Sequence, residues 1–361
     1  YSDKEGVRYK RLDPNTLEET ADKLLCASSG KKPFQEIVIQ SGDKSKIALI
    51  IKSSTENKKE VDNKIVVFDS KLSRLWEQSI LTAMDKKKGT ILQTALSYIL
   101  KSRMLKLIQQ EEPDVIVFTH PFPCGAASIL KRQGLIDVPL VAILTDFSSH
   151  QFWIYPQVDT YFVATEDMVG EMTSVGIDRD KIYVSGIPVR RSFFKDAINH
   201  YELKSPVKVL VMGGGLGLGS LEIALQHLDA VSGIDEITVV AGQNTSLYES
   251  LVSLSVRMKT KTTVYGYTSN ISELMSSATM LVTKPGALTC MEAVTIGLPM
   301  VFFNAIPGQE EANAELLEER GCARWARDIH NLEDVVAALL INQPRLQQMY
   351  EQARAWHVDG E

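Results

Sequence analysis

Met280-Leu281-Val282-Thr283-Lys284-Pro285-Gly286-Ala287-Leu288-Thr289-Cys290-Met291-Glu292-Ala293 is the stretch whose reading decides the fold. An apolar run of strand length meets a Lys-Pro-Gly turn, and a helical pattern opens at about Ala287. A second apolar run, Met300 to Phe303, follows Gly297-Leu298-Pro299 and leads into Pro307-Gly308-Gln309-Glu310-Glu311-Ala312-Asn313, read as a polar loop. Strand, turn, helix and strand in this order predict a parallel sheet with helices packed on its faces. The turn then aims backbone N–H groups and the positive end of a helix dipole at whatever lies above the strand ends, which suits a phosphate. Gly286, Ala287, Leu288 and Thr289 carry those amides, and Lys284 either adds a charge or is a solvated strand-end residue. Glu292, about one and a half turns into the helix, is placed to accept hydrogen bonds from a ribose. Gln309, Glu310 and Asn313 offer polar heads to sugar hydroxyls. The set suits a nucleotide sugar.

A matching half lies upstream. Lys208 to Met212 reads as a strand, and Gly213-Gly214-Gly215-Leu216-Gly217-Leu218-Gly219-Ser220 as a glycine-rich turn into a helix. Such a turn lets backbone approach a ligand closely. No Gly-Lys-Ser/Thr follows, so it is not a P-loop. No acidic residue ends the next strand, Glu236 to Val240, so it is a poor dinucleotide fingerprint. Alone the run is weak evidence; followed by Val264-Tyr265-Gly266-Tyr267 and then the opening stretch, it is more specific.

That ordered set resembles the donor half of a family of GT-B glycosyltransferases. The family includes plant monogalactosyldiacylglycerol synthases, bacterial processive diacylglycerol glucosyltransferases and, more distantly, the N-acetylglucosaminyltransferase that makes lipid II. The resembling runs are Met212 to Gly219, Val239 to Asn244, Val264 to Tyr267, Thr283 to Ala293 and Pro307 to Asn313. A second cluster agrees: Leu144-Thr145-Asp146-Phe147, His150, Trp153, Tyr161 to Thr165 and Gly186-Ile187-Pro188-Val189-Arg190. The resemblance runs from about Ile65 to Arg327. It implies two facing, doubly wound, Rossmann-like α/β domains with a cleft between them. It also implies an inverting transferase that moves glucose or galactose from a UDP-sugar to a lipid hydroxyl, with diacylglycerol as the expected acceptor. The alternatives are a UDP-N-acetylglucosamine transferase acting on a polyprenyl-linked acceptor and a non-catalytic UDP-sugar binder.

At 361 residues the chain is long enough for two domains, and 44% apolar content gives each a core. The expected division is 1–195 on the acceptor side and 205–361 on the donor side. No signal-peptide pattern is read, and no apolar run approaches the ~20 residues of a membrane span. The four cysteines lack CxxC or metal spacing and read as reduced thiols. Net charge is −6, divided unevenly: residues 1–200 carry 28 Lys/Arg and 26 Asp/Glu, whereas 201–361 carry 11 and 19. Neither half has the basic excess of a nucleic-acid binder. The weakly basic first half suits an anionic membrane surface, with a peripheral location on the cytoplasmic face. Met84 to Gln110, with Lys86, Lys87, Lys88, Lys101, Arg103 and Lys106 among leucines and isoleucines, reads equally as a core helix with a solvated basic face or as a helix lying on lipid.

In the first half, Ile65 to Phe68, Val115 to Phe118, Val138 to Leu144, Tyr161 to Ala164 and Lys181 to Ser185 read as strands, with helices over Ile91 to Gln110 and Ala126 to Gln133. The departing diphosphate is expected to be met by backbone amides and helix N-termini, with no metal and no cofactor. Asp178-Arg179-Asp180 resembles a metal-binding Asp-X-Asp, but its context is a surface turn. Candidate bases are His120 at one strand end, Asp146 at the next, and His150 one loop further on. Arg190 is expected to pair with phosphate or to cap the hinge. One departure stands out. Relatives open the acceptor domain with a strand and a Gly-His loop. Here Lys46 to Ile51 reads as that strand, yet Ser53 to Glu60 supplies neither Gly nor His. Residues 1–45 are left unplaced.

Overall fold

The computed structural model describes residues 100–198, 201, 206–213 and 221–359, with side chains to 356, and the backbone of six strands between residues 2 and 63. Its contacts divide into two compact units, Tyr1–Pro188 (with Glu361) and Val189–Gly360.

The first unit begins with two antiparallel three-stranded sheets. One is β1 (Ser2–Asp3), β2 (Gly6–Leu12) and β3 (Glu19–Ala27); the other is β4 (Phe34–Ser41), β5 (Ile47–Ser53) and β6 (Val61–Asn63). The strand read at Lys46 to Ile51 is therefore present as β5, but not as the head of a parallel sheet. It runs antiparallel between β4 and β6, with Ile51 opposite both Ile37 and Asn63. The chain length explains this correction. Five residues separate β4 from β5, enough for a hairpin but far short of the dozen or more that a parallel crossover needs.

A helix over residues 100–111 (α1) then leads into β7 (Ile116–Phe118), α2 (Pro121–Arg132), β8 (Leu140–Ile143), β9 (Thr160–Val163), α3 (Glu166–Ser174) and β10 (Ile182–Val184). The four strands form a parallel sheet in the order β10-β9-β8-β7, and β7, β8 and β9 are buried at every position. Such near-continuous apolar runs are what a sheet covered on both faces requires. Helix α2 starts five residues earlier than the sequence reading, because Pro121 occupies its first turn and His120 caps it. On α1, Met104 is buried while Arg103 and Lys106 are exposed, so this portion packs inward with a solvated basic edge. Lys86 to Lys88 and the strand read at Ile65 to Phe68 lie outside the described residues.

The second unit holds α4 (Arg191–Lys195), β11 (Lys208–Met212), α5 (Leu221–Ala230), β12 (Glu236–Val240), α6 (Thr245–Ser255), β13 (Lys261–Tyr265) and α7 (Ile271–Ser276). It continues with β14 (Met280–Thr283), α8 (Ala287–Ile296), β15 (Met300–Phe302), α9 (Gln309–Glu319), β16 (Ala323–Trp325), α10 (Leu332–Ile341) and α11 (Gln343–Asp359). Its six strands are all parallel, in the order β13-β12-β11-β14-β15-β16. This is a doubly wound sheet whose strand order reverses between β11 and β14, the switch point where ligands sit above strand ends. Strand β16 escaped the sequence reading because it is three residues long with an exposed arginine at its centre. Val209, Val211, Leu225, Val239, Val282 and Phe303 share one fully buried cluster.

Helix α8 ends at Gly297, whose φ of +86° is the left-handed conformation that closes a helix. A side chain there would meet the Tyr350 ring at 2.9 Å. The same Tyr350 donates from its hydroxyl to the Ile198 carbonyl at 3.1 Å, and the Ile198 N–H donates to Ile296 at 2.8 Å. The segment after Pro188 is thus fastened to the second unit, beside α8.

Candidate functional site

The turn quoted first sits at the switch point. Thr283, the last residue of β14, donates its hydroxyl to the Met212 carbonyl at the end of β11, 3.0 Å away and buried. One side chain thereby ties the two strands where their helices part to opposite faces. Gly213 continues β11 and is buried; Gly214, Gly215 and Gly217 lie outside the described residues.

Past Thr283 the chain folds tightly: the Gly286 N–H donates to the Lys284 carbonyl at 2.8 Å, across Pro285. Gly286 is the N-cap of α8 and brings no side chain to it. The amides of Ala287, Leu288 and Thr289 belong to the first turn and have no intrahelical acceptor. Among the described residues, nothing lies within 4 Å of a Cβ placed on Gly286. A helix N-terminus without a side-chain cap and with no acidic residue in its first turn leaves amides of the kind that can meet an anion.

Two ion pairs border it. Lys284, 9% exposed, has its ammonium 3.6 Å from the Glu310 carboxylate. Arg190 lies 3.5 Å from Glu292 and stacks over Phe193 at 5.0 Å. In this structure Arg190 thus meets the carboxylate read as a ribose acceptor. Both carboxylates also act on Cys290, whose thiol burial pushes well above its ordinary range, with Glu310 and Glu292 adding to the shift.

Gln309, Glu310 and Asn313 are not loop residues, as the sequence reading had them, but the first turns of α9. Gly308, at φ +96°, donates its N–H to the Glu311 carboxylate at 3.1 Å, and that closure starts the helix early. Asn313 is buried, and its amide donates to the Pro285 carbonyl at 3.0 Å. Here it serves the turn. Tyr265 closes β13, the far edge of the sheet, with Gly266 and Tyr267 just beyond; both tyrosines are exposed. Three strand spacings separate β13 from β14, roughly 14 Å.

The first unit holds the second group of candidates. His120 caps α2, its Nδ1 accepting the Phe122 N–H at 3.4 Å. Burial pushes this imidazole down to about 4, although Asp146 pulls the other way. His150 Nε2 lies 3.7 Å from the Asp146 carboxylate. Edge-on aromatic contacts run from His120 to Phe122, on to Phe152 and back to His150, at 5.3, 5.7 and 5.6 Å. The loop carrying His150 is fastened twice. Ser149 donates its N–H and its hydroxyl to Glu171, and the Tyr161 hydroxyl accepts the Tyr155 N–H at 2.9 Å. Glu171 and Tyr161 lacked any sequence signal for this role, since an anchoring contact across a loop leaves no periodic trace.

Asp178 caps and Asp180 lies within a short 3-10 turn, Arg179–Lys181, in which Lys181 pairs with Asp178 at 3.8 Å. Among the described residues no three His, Cys, Asp or Glu side chains converge as metal ligands do, and no helix is long and apolar enough to cross a membrane.

Residues 31–189 match the monogalactosyldiacylglycerol (MGDG) synthase family, and residues 208–359 match the C-terminal domain of glycosyltransferase family 28. The first match opens well ahead of Ile65, where the sequence reading began the resemblance. Over 258 residues the chain is 36% identical to the processive diacylglycerol beta-glucosyltransferase of Bacillus cereus strain AH187, covering 70% of this chain and 66% of that one. It is 35% identical over 265 residues to the protein of the same name from B. cereus strain G9842, covering 72% and 68%. The matched stretch thus spans about two thirds of these relatives. Among solved structures, the UDP complex of S. aureus MnaA superposes with a TM-score of 0.54 at 11% identity, covering 73% of this chain and 77% of that one. Acinetobacter baumannii MurG gives 0.52 at 18%, covering 70% and 73%. At such identities the likeness is one of fold, the GT-B architecture. With both halves matched in order and relatives above one-third identity across most of each chain, this protein belongs to the monogalactosyldiacylglycerol synthase family of glycosyltransferases.

Proposed function

We propose that the chain transfers a hexose, glucose or galactose, from a UDP-sugar to the hydroxyl of diacylglycerol, with inversion, as a peripheral protein on the cytoplasmic face of a membrane. The observation that carries this reading is the 35–36% identity, running through both halves, to proteins named diacylglycerol glucosyltransferases.

The chemistry fits the geometry. A departing diphosphate gathers negative charge, and the open N-terminus of α8 offers amides and a dipole to it without reorganisation. Glu292 takes the ribose, Tyr265 to Tyr267 the base, and Gln309 with Glu310 the hexose. Direct displacement needs one base for the acceptor hydroxyl and no covalent intermediate. His150 is our choice, with Asp146, 3.7 Å from its Nε2, orienting the ring. His120 is the poorer base: its Nδ1 is spent on the cap, and with its titration near 4 it stays neutral, with Nε2 carrying the proton.

The test is a transfer assay with UDP-glucose, UDP-galactose and UDP-N-acetylglucosamine, each offered diacylglycerol in mixed micelles. One hexosyl donor is expected to give a β-linked glycolipid. Transfer of N-acetylglucosamine to a polyprenyl carrier alone would move the protein to the lipid II branch. UDP-sugar binding without transfer would leave a binder, a reading favoured by β5, which lies antiparallel and is followed by a segment lacking Gly and His. Co-sedimentation with vesicles that rises with anionic lipid is expected for the membrane role.

A further inference from the structure

We propose that Lys284 and Glu310 form a charge exchanger: a hexose hydroxyl that engages Glu310 releases the Lys284 ammonium to the diphosphate, so the two parts of the donor recruit each other. The inference rests on the donor-site reading above.

The unusual feature is how loosely a nearly buried charge is held. Lys284 is 9% exposed, and its ammonium has one counter-ion among the described residues, Glu310 at 3.6 Å, beyond hydrogen-bond distance. A desolvated ammonium normally needs close, fully bonded partners. Glu310 is asymmetric in the complementary way. Its Oε2 takes both the Ile306 N–H, at 2.8 Å, and the Lys284 contact. No described residue bonds its Oε1, and the side chain remains 22% exposed. The carboxylate thus keeps one oxygen for a donor from outside, while the lysine keeps its hydrogen-bonding capacity in reserve.

The two residues also stand on the elements that a nucleotide sugar would bridge. Lys284 lies two residues ahead of the α8 N-cap, whereas Glu310 opens α9. The Asn313 amide bond to Pro285 fixes the same two elements to each other one helical turn further along, so neither can drift to satisfy the pair. What can change is the partner. A hydroxyl donating to Glu310 disperses the carboxylate charge and loosens its hold on Lys284. A diphosphate above Gly286 supplies the counter-ion that replaces it. Coupling of this kind is reciprocal, with each ligand part strengthening the other by the same factor.

Calorimetric titration of the full chain with UDP and with UDP-glucose tests this. Glu310→Gln keeps an oxygen for the Ile306 N–H while removing the charge, so the fold is retained. It should bind UDP about five- to tenfold more tightly than the wild type, a typical coupling, and lose the advantage of UDP-glucose over UDP. In a Lys284→Met background the Glu310→Gln gain should vanish; Lys284→Gln replaces Met if that variant lacks a thermal transition. Unchanged or weaker UDP binding by Glu310→Gln, or a gain that persists without Lys284, overturns the exchanger while leaving the donor site standing. A wild type that binds neither UDP nor UDP-glucose removes the donor site, and the exchanger with it.

Discussion

Two helices in this molecule start from nearly the same sequence and present opposite chemistry. Each follows a buried parallel strand through a short turn containing proline: Thr119-His120-Pro121 before α2, and Lys284-Pro285-Gly286 before α8. In the first, the cap precedes the proline and is a histidine, whose Nδ1 closes the helix end by accepting the Phe122 N–H. In the second, the proline precedes the cap, which is a glycine with no described atom within 4 Å of where a Cβ would stand. Proline sets the direction of both helices. The cap residue decides whether the free amides are used internally or left to an anion. One end carries a partly buried imidazole held neutral beside Asp146 and His150; the other keeps its first-turn amides free of a side-chain cap.

The largest effect is expected at the closed end. His150→Ala should lower sugar transfer by about 10²- to 10⁴-fold, the usual worth of a positioned base, with UDP affinity within about twofold of wild type in calorimetry. A loss of UDP binding of the same size would show that the histidine serves the fold rather than the chemistry.

The His120 cap carries its own signature. Its folded value is about 4 against an ordinary 6.5, so the unfolded chain takes up a proton that the folded one refuses. Stability from this group is full above about 6.5 and is lost as pH falls toward 4. Its size is roughly 3–4 kcal/mol, from about 2.5 pH units at ~1.4 kcal/mol each. His120→Asn keeps a capping side chain and removes the titration, so urea midpoints measured from pH 7 to 4 should fall less steeply than in wild type. Parallel slopes for the two proteins would exclude a buried neutral imidazole.

At the open end, Glu292→Ala should weaken UDP binding by roughly 1–3 kcal/mol, the cost of losing a charged hydrogen bond. The variant also leaves Arg190 without this carboxylate. If calorimetry instead shows UDP held as tightly as before, Glu292 exists to hold Arg190 and has no ribose role.

The contrast between the two ends also explains what could be read from the chain in advance. Strand–turn–helix order was legible because β14, α8 and β15 are apolar runs cut by Pro and Gly, which are local signals. The start of α8 at Ala287 was legible for the same reason, and so was the parallel second sheet. Helix α2 was read five residues late because Pro121 looks like a breaker unless the cap before it is recognised. Gln309 to Asn313 looked like a loop because polar residues fill the first turns of α9, and only the Gly308–Glu311 closure shows where the helix begins. The pairing of Lys284 with Glu310 and of Arg190 with Glu292 joins residues distant in sequence, with no periodicity to announce them. The direction of β5 was the costliest misreading. A strand's apolar pattern says nothing about which way its neighbours run, and only the five-residue gap before it carried that information.

The smallest effect bears most directly on the comparison, because it makes one helix end resemble the other. Gly286→Ser puts a capping hydroxyl on α8, and the backbone there (φ −71°, ψ 129°) already has the extended shape that an N-cap serine adopts. No atom of the described residues lies within 4 Å of the new Cβ. Serine over glycine at such a position is worth only a few tenths of a kcal/mol, and the melting temperature should rise by about a degree. The hydroxyl would take an amide that the anion now has to itself, so UDP should bind several-fold more weakly even as the fold becomes slightly more stable. Opposite signs in the two measurements are what an anion seat requires. A variant that gains stability and keeps its UDP affinity would mean that the amides of α8 were never its contact, and that the likeness between the two helix ends outweighs their difference.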